Sequence, residues 1–233
     1  LNLEWSGPGL ARSAIAGSSL VASAVEATDV RGAIWLLDEN AGSVTEEELR
    51  SLASEDFAAN GLAWTNTTPG IASPAALSFP GTVGGNLRTN LSAADLGIDG
   101  AGAKTITGWF RTTHSLDSQM FFGWSPTNGS GPGQDLRLGL DASGFLRFEV
   151  SSGFALYETT SLNDGEWHFV GVVIEVGDTT SDVQFFIDGA MVNPTNANGR
   201  AINTAATGVA PREEILLGIG NPLGSQEWHG EID

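Results

Sequence analysis

Over residues 167–176, bulky positions alternate with small or polar ones, and the same pattern returns over residues 183–187. A side-chain period of two marks a β-strand with one face buried. Between the two stretches, Gly177-Asp178-Thr179-Thr180 supplies a turn, and Asp188-Gly189 opens a tight hairpin after the second. Further strand patterns lie at 33–43, 76–81, 105–111, 136–141, 144–150, 215–220 and 228–233. A single segment breaks the period. Thr45 as N-cap, Glu48 three residues on as the other half of a capping box, and Leu49 and Leu52 on one face predict a short surface helix over 45–52. The chain is therefore expected to be all-β, a two-sheet antiparallel jelly-roll sandwich with one short surface helix.

The order of these pieces carries a family resemblance. The turn and strand Asp164-Gly165-Glu166-Trp167-His168, the strand ending Asp188-Gly189, the central strand with Trp109 taken as inward, and Trp228-His229-Gly230-Glu231-Ile232-Asp233 stand in the order found in laminin-G-like jelly rolls. The chain resembles that family, within the concanavalin A-like lectin and glucanase superfamily, over about residues 33–233. The resemblance implies a further apolar strand after the Gly-x-Ile-Asp unit to close the inner sheet, so the sandwich over 32–233 is expected to lack its final strand. With Leu1 at one end and Asp233 at the other, the sequence reads as a piece of a longer polypeptide. Residues 1–31 match nothing in the resemblance and are expected to form an extension or linker; Trp5 and the apolar residues around Val21 give it something to pack.

Composition narrows the function. The chain has 233 residues, of which 41% are apolar, enough for one β-sandwich core. Its 31 glycines and nine prolines follow no period, which suits many strands and turns. Acidic residues outnumber basic ones 28 to 10, and the formal charge of −18 repels phosphate backbones and anionic lipid, so nucleic acid is not expected as a partner. No cysteine is present to form a disulfide or a thiolate metal site. No apolar run reaches the length that crosses a bilayer as a helix, so membrane insertion is not expected. A secreted or cell-surface location is expected.

Loops rich in Gly, Ser, Asn, Pro and Thr at 113–118, 125–134 and 193–212 would gather at the rim of a sandwich, where binding sites usually form. Seven tryptophans are available. Trp35, Trp109 and Trp167 lie inside strand patterns and are assigned to the core. Trp64, Trp124, Tyr157 and Trp228 fall at strand ends or loop edges and are the candidate platforms for stacking a sugar ring. Asn66, Asn90 and Asn128 begin glycosylation sequons.

Acidic residues offer two roles. Glu231-Ile232-Asp233 is reminiscent of the Glu-x-Asp-x-x-Glu strand of glucanases on this fold, but a third carboxylate is absent and the chain order differs, so catalysis is not expected. Asp38, Glu39 and Asn40 follow the first strand, and Glu231 and Asp233 lie in the last. With backbone carbonyls these five form the candidate set for a structural calcium ion, which the resemblance makes a natural expectation. The three histidines show no metal-binding spacing and are expected to be structural. The expected function is a non-catalytic extracellular module that binds a glycan or protein through rim loops. Two alternatives stand: a structural subunit of a filament, sheath or surface layer that self-assembles through an open sheet edge, and a glucanase-like hydrolase.

Overall fold

A computed structural model describes residues 32–69, 74–124, 135–204, 214–218 and 226–233, and the backbone of two short strands before them. The chain divides into two units, Leu1–Val30 and Arg31–Asp233. In the first, β1 (Glu4–Trp5) pairs antiparallel with β2 (Ser13–Ala14). The rest of that unit, the sequon at Asn128 and the loop at 125–134 lie outside the described residues.

The second unit holds β3 (Glu46–Glu47), β4 (Leu52–Ala53), β5 (Ala63–Thr65), β6 (Ala76–Pro80), β7 (Leu87–Ser92), β8 (Lys104–Arg111), β9 (Gln119–Trp124) and β10 (Leu136–Leu140). It continues with β11 (Phe145–Val150), β12 (Gly153–Ser161), β13 (Trp167–Ile174), β14 (Gln184–Ile187), β15 (Ala190–Val192), β16 (Asn196–Ala197), β17 (Glu214–Leu217) and β18 (His229–Ile232). Two seven-stranded sheets result, one ordered β16-β12-β11-β10-β9-β17-β7 and the other β15-β14-β13-β8-β18-β6-β5. The expected all-β sandwich is thus present.

Period-two patterning explains how the sheets face each other. Leu136, Leu138 and Leu140 of β10, Leu146, Phe148 and Val150 of β11, and Val170, Val172 and Ile174 of β13 are all buried, while their neighbours in sequence face outward. Phe110 of one sheet meets Phe121 of the other with ring centroids 5.1 Å apart. Each such side chain removed from water is worth roughly 1.5–3 kcal/mol.

The expected helix at 45–52 is not formed. Residues 46–53 make the β3–β4 hairpin instead. Its turn is organised by Glu47, which is fully buried. The Glu47 carboxylate accepts the amides of Ile34, Leu49 and Arg50 at 3.0, 3.1 and 2.8 Å. Ile34 lies outside the expected helix, and in a helix capped at Thr45 the Leu49 and Arg50 amides would bond back to the carbonyls of Thr45 and Glu46, so the Glu47 carboxylate replaces those backbone acceptors and closes a turn. Among the described residues the helical content is one 3₁₀ turn, Ala58–Asn60, and no helix is long and apolar enough to cross a membrane.

The opening strand expected at 33–43 is also absent as a regular strand. It makes one isolated bridge, Trp35 to Glu47, and Leu37 and Asn40 adopt positive φ of 52° and 51°, which breaks any ladder.

Candidate functional site

Four strands place a row of outward side chains across one end of a sheet. Trp167 of β13 lies opposite Arg111 of β8, Arg111 opposite Glu231 of β18, and Glu231 opposite Ser78 of β6. Arg111 stands over the Trp167 ring, 5.7 Å from its centroid. Its guanidinium grips Glu231 through Nη2 at 2.9 Å and Nε at 3.2 Å. This fork-to-carboxylate geometry fixes both side chains in the plane of the sheet face.

Beside the row the chain leaves β8 through Thr112, which organises the turn. Its hydroxyl donates to the carbonyl of His229 at 2.6 Å and accepts the amide of His114 at 3.0 Å. Gln119 completes the link, donating to Thr112 at 3.3 Å and accepting the His229 amide at 3.1 Å. His114 and His229 are thereby brought together, with ring centroids 5.4 Å apart. Gly230 is required here: a Cβ on it would lie 2.2 Å from the Arg111 carbonyl oxygen. The result is an open pocket of about 570 Å³ walled by Arg111, Glu231, His114, His229, Thr113 and Leu116. Leu116 is 80% exposed at its mouth.

A second polar arrangement explains the Trp-His and Asp-Gly motifs. His168 bonds through Nδ1 to Asp188 at 2.8 Å and through Nε2 to Asp164 at 3.1 Å. The other oxygen of Asp188 accepts the Phe169 amide at 2.9 Å. Burial pulls the imidazole pKa down, but the hydrogen bonds and charges of the two aspartates outweigh it, and the net direction is upward from the ordinary histidine value. His168 is a clasp between the ends of β13 and β14, in keeping with the structural role expected of it.

On the other sheet, Arg137 of β10 meets Asp135 at 3.1 Å, Glu149 at 3.4 Å and Gln226 at 2.8 Å, and Arg147 pairs with Glu149. Burial, followed by the opposing attraction of Arg137, leaves the Asp135 carboxyl raised. These charges are largely turned on one another.

The residues expected to stack a ligand are not brought together. Trp124 and Trp228 are fully buried. Trp228 packs edge-on against Phe110 and Phe121 at 5.2 and 5.5 Å, between the sheets, so neither indole offers a face to a sugar. Trp64 and Tyr157 are half-buried on different sheets; Trp64 is pinned by its Nε1 donating to the Gly42 carbonyl at 3.0 Å and by the Phe57 ring. Of the indoles assigned to the core, Trp35 is partly buried and packs against it, but the other two in the described strands do not face inward. Trp109 and Trp167 are half-buried on the outer face, Trp109 against Phe169 at 5.3 Å, and the aromatic residue that β8 turns inward is Phe110.

The side chains of the five calcium candidates are not gathered into one cluster. Among the described residues no group of three acidic or histidine side chains is placed to hold a metal. Glu39 accepts the Thr45 hydroxyl and the Glu46 amide, both at 2.7 Å, Glu231 is held by Arg111, and Asp233 continues the backbone ladder against Trp109. Asp38 and Asn40 stay on the segment before β3. Arg111, Thr112, His114 and His229 went unnoticed as site residues because their partners lie more than a hundred positions away.

Comparison with known proteins agrees with this fold. Residues 84–233 match the family profile described as the concanavalin A-like lectin/glucanases superfamily. A search of curated proteins finds no sequence match. Among solved structures, the binding domain of Paraclostridial Mosquitocidal Protein 1 is similar at 11% identity and a TM-score of 0.50, covering 81% of this chain and 44% of that one. The CBM40 of the Ruminococcus gnavus IT-sialidase is similar at 11% identity and 0.49, covering 68% and 86%. Domains LG4-5 of the mouse laminin alpha1 chain are similar at 17% identity and 0.40, covering 72% and 42%. This chain therefore spans less than half the length of the mosquitocidal domain and of the laminin pair. At these identities the likeness is one of fold.

Proposed function

The chain belongs to the concanavalin A-like lectin/glucanase superfamily, and from that premise we propose that it is a non-catalytic, extracellular binding module that takes a glycan in the pocket between β8, β18 and the 112–116 turn. One observation carries this reading: the pocket pairs a rigid polar fork, Arg111 with Glu231, with hydroxyls, two imidazoles and an exposed apolar side chain at its mouth. Sugars are bound by that combination, in which planar charged groups meet adjacent hydroxyls and apolar surface meets the C–H face of the ring. Glu231 is committed to Arg111, and among the described residues that line the pocket no second carboxyl group stands with it to form the pair that glycoside hydrolysis requires. The acidic charge of the chain suits an exposed, soluble module that avoids anionic surfaces.

The test is a glycan array followed by calorimetry on the leading ligand. Binding should fall at least about tenfold, or 1.4 kcal/mol, in His114→Ala and Leu116→Ala, which alter the pocket wall without touching the core. Array binding that is unchanged in both variants would move the site elsewhere, and release of sugar by the purified chain would overturn the non-catalytic reading.

A further inference from the structure

His114 and His229 reach the same pocket from the turn after β8 and from the start of β18, with ring centroids 5.4 Å apart and ring planes inclined at 48°. The backbone holds both in place. The His114 amide donates to the Thr112 hydroxyl at 3.0 Å, and its carbonyl accepts the Asn163 side chain at 2.8 Å. His229 donates its amide to Gln119 at 3.1 Å and accepts the Thr112 hydroxyl at 2.6 Å. Gly81 lies against the His229 side chain, where a Cβ would come within 2.7 Å of the His229 Cβ and 2.9 Å of its Cγ. The two rings are therefore placed by the fold before any ligand arrives.

The three imidazoles of the chain divide by what their nitrogens do. His168 spends both on carboxylates, Asp188 at 2.8 Å and Asp164 at 3.1 Å. Every hydrogen bond that His114 and His229 make among the described residues is instead through backbone atoms. Their ring nitrogens are left for something in the pocket.

Coordination geometry says what suits them. Zinc–imidazole bonds are about 2.0–2.1 Å and an imidazole centre lies about 1.15 Å behind its ligating nitrogen, so two rings on one tetrahedral ion have centroids about 5.2 Å apart. The observed 5.4 Å is close to that separation. Imidazole donors favour borderline transition metals, whereas calcium and magnesium ask for oxygen. Charge favours a cation as well. The chain carries a formal −18, and Arg111, the one lining residue with a permanent positive charge, is neutralised by Glu231 at 2.9 and 3.2 Å.

We propose that His114 and His229 form a binding site for one divalent transition-metal ion, each imidazole supplying one nitrogen and the pocket side of the ion staying open to water or to ligand oxygens. Among the described residues no third side chain of the metal-binding kind joins them, so the ion is exchangeable rather than a closed structural centre. Copper(II) should bind more tightly than zinc. The site does not depend on a glycan being the ligand of the pocket.

The probe is the metal alone, copper(II) or zinc chloride titrated into the 233-residue chain in a non-chelating buffer, followed by calorimetry and by the ring-proton resonances of the three histidines. The expected result is one ion per chain, copper(II) tighter than zinc, with no displacement by millimolar calcium. Substoichiometric copper(II) should broaden the His114 and His229 resonances and spare His168. His114→Ala and His229→Ala should each weaken binding at least about tenfold, because a single imidazole cannot chelate, while His168→Gln keeps the native affinity. Weakening in only one of the two alanine variants, broadening centred on His168, or displacement by calcium would overturn the proposal. If an alanine variant does not fold, the resonances of the native chain decide. Absence of metal binding beside intact binding on the glycan array would remove the ion site and leave the glycan reading standing.

Discussion

Arg111 and Glu231, 120 positions apart in sequence, form a two-armed ion pair across β8 and β18, with N–O distances of 2.9 and 3.2 Å. Both side chains are largely covered, 27% and 19% exposed, and Arg111 also rests on Trp167. Bonds of this kind are worth more than an exposed surface pair but less than a fully buried one. Glu231→Gln should cost about 1–2 kcal/mol in urea denaturation. Arg111→Lys should cost a similar amount, because an ammonium satisfies one oxygen where the guanidinium satisfies two and stacks less well on the indole. A change in neither would mean that the pair is a surface contact with no structural role.

The fold was legible because it rests on local period. Strands β8, β10, β11, β13 and β14 each alternate over at least four residues, and each lies where the alternation puts it. What failed did so where a distant partner decides the outcome. Thr45 to Leu52 has every local sign of a helix, yet the buried Glu47 carboxylate gathers the Ile34 amide from 13 positions away and holds the segment as a hairpin. Tryptophans misled for the same reason. Trp228 sits at a strand end in sequence, but that strand enters the sheet beside β8 and carries the ring between Phe110 and Phe121. Conversely, Trp109 lies in a clear strand and was assigned inward, although the pattern alone cannot say which of two adjacent aromatic residues faces the core. The pocket was hidden because it joins a turn after β8 to a strand more than a hundred residues later.

Calcium offers a direct check on the acidic residues. Glu39 and Glu231 already have donors, and no three carboxylates converge among the described residues. Thermal melts in millimolar calcium and after chelation should therefore share one midpoint to within about a degree. A site with Kd near 10⁻⁴ M would instead contribute about 1.4 kcal/mol at millimolar calcium and raise the midpoint by a few degrees. Such a rise would show that backbone carbonyls assemble a site the side chains do not reveal.

The His168 clasp makes stability depend on pH in a defined window. The imidazole pKa is raised in the folded state, so its contribution is complete below the ordinary value of 6.5 and is lost as pH rises through the raised value. Asp164 is shifted the other way, chiefly by the Glu166 amide it accepts, with burial opposing, so its contribution is present above 3.8 and is lost as pH falls through its lowered value. The clasp is therefore strongest between these limits. Asp164 and Asp188 are about half exposed, at 53% and 48%, so water screens the pair and the amplitude should stay under about 1 kcal/mol. Urea midpoints from pH 5 to 9 should decline above 6.5 in the native protein and flatten in His168→Gln. An equal decline in the variant would assign the effect to another group.

Trp228 separates ring packing from hydrogen bonding in the core. It is fully buried, it touches Phe110 and Phe121 edge-on, and its indole Nε1 has no hydrogen-bond partner among the described residues. A buried donor left unpaired costs about 1–3 kcal/mol relative to one that is satisfied. Trp228→Phe removes that donor and keeps an aromatic ring in the same contacts, but it also removes volume, and the two effects oppose each other. The expected net change is within about 1 kcal/mol of the native protein. Trp228→Ala keeps nothing of the ring and should lose about 3–5 kcal/mol. Chemical denaturation of the two variants decides the matter: a phenylalanine variant as unstable as the alanine one would mean that the indole N–H is bonded in solution, and that the polar atom matters as much as the ring.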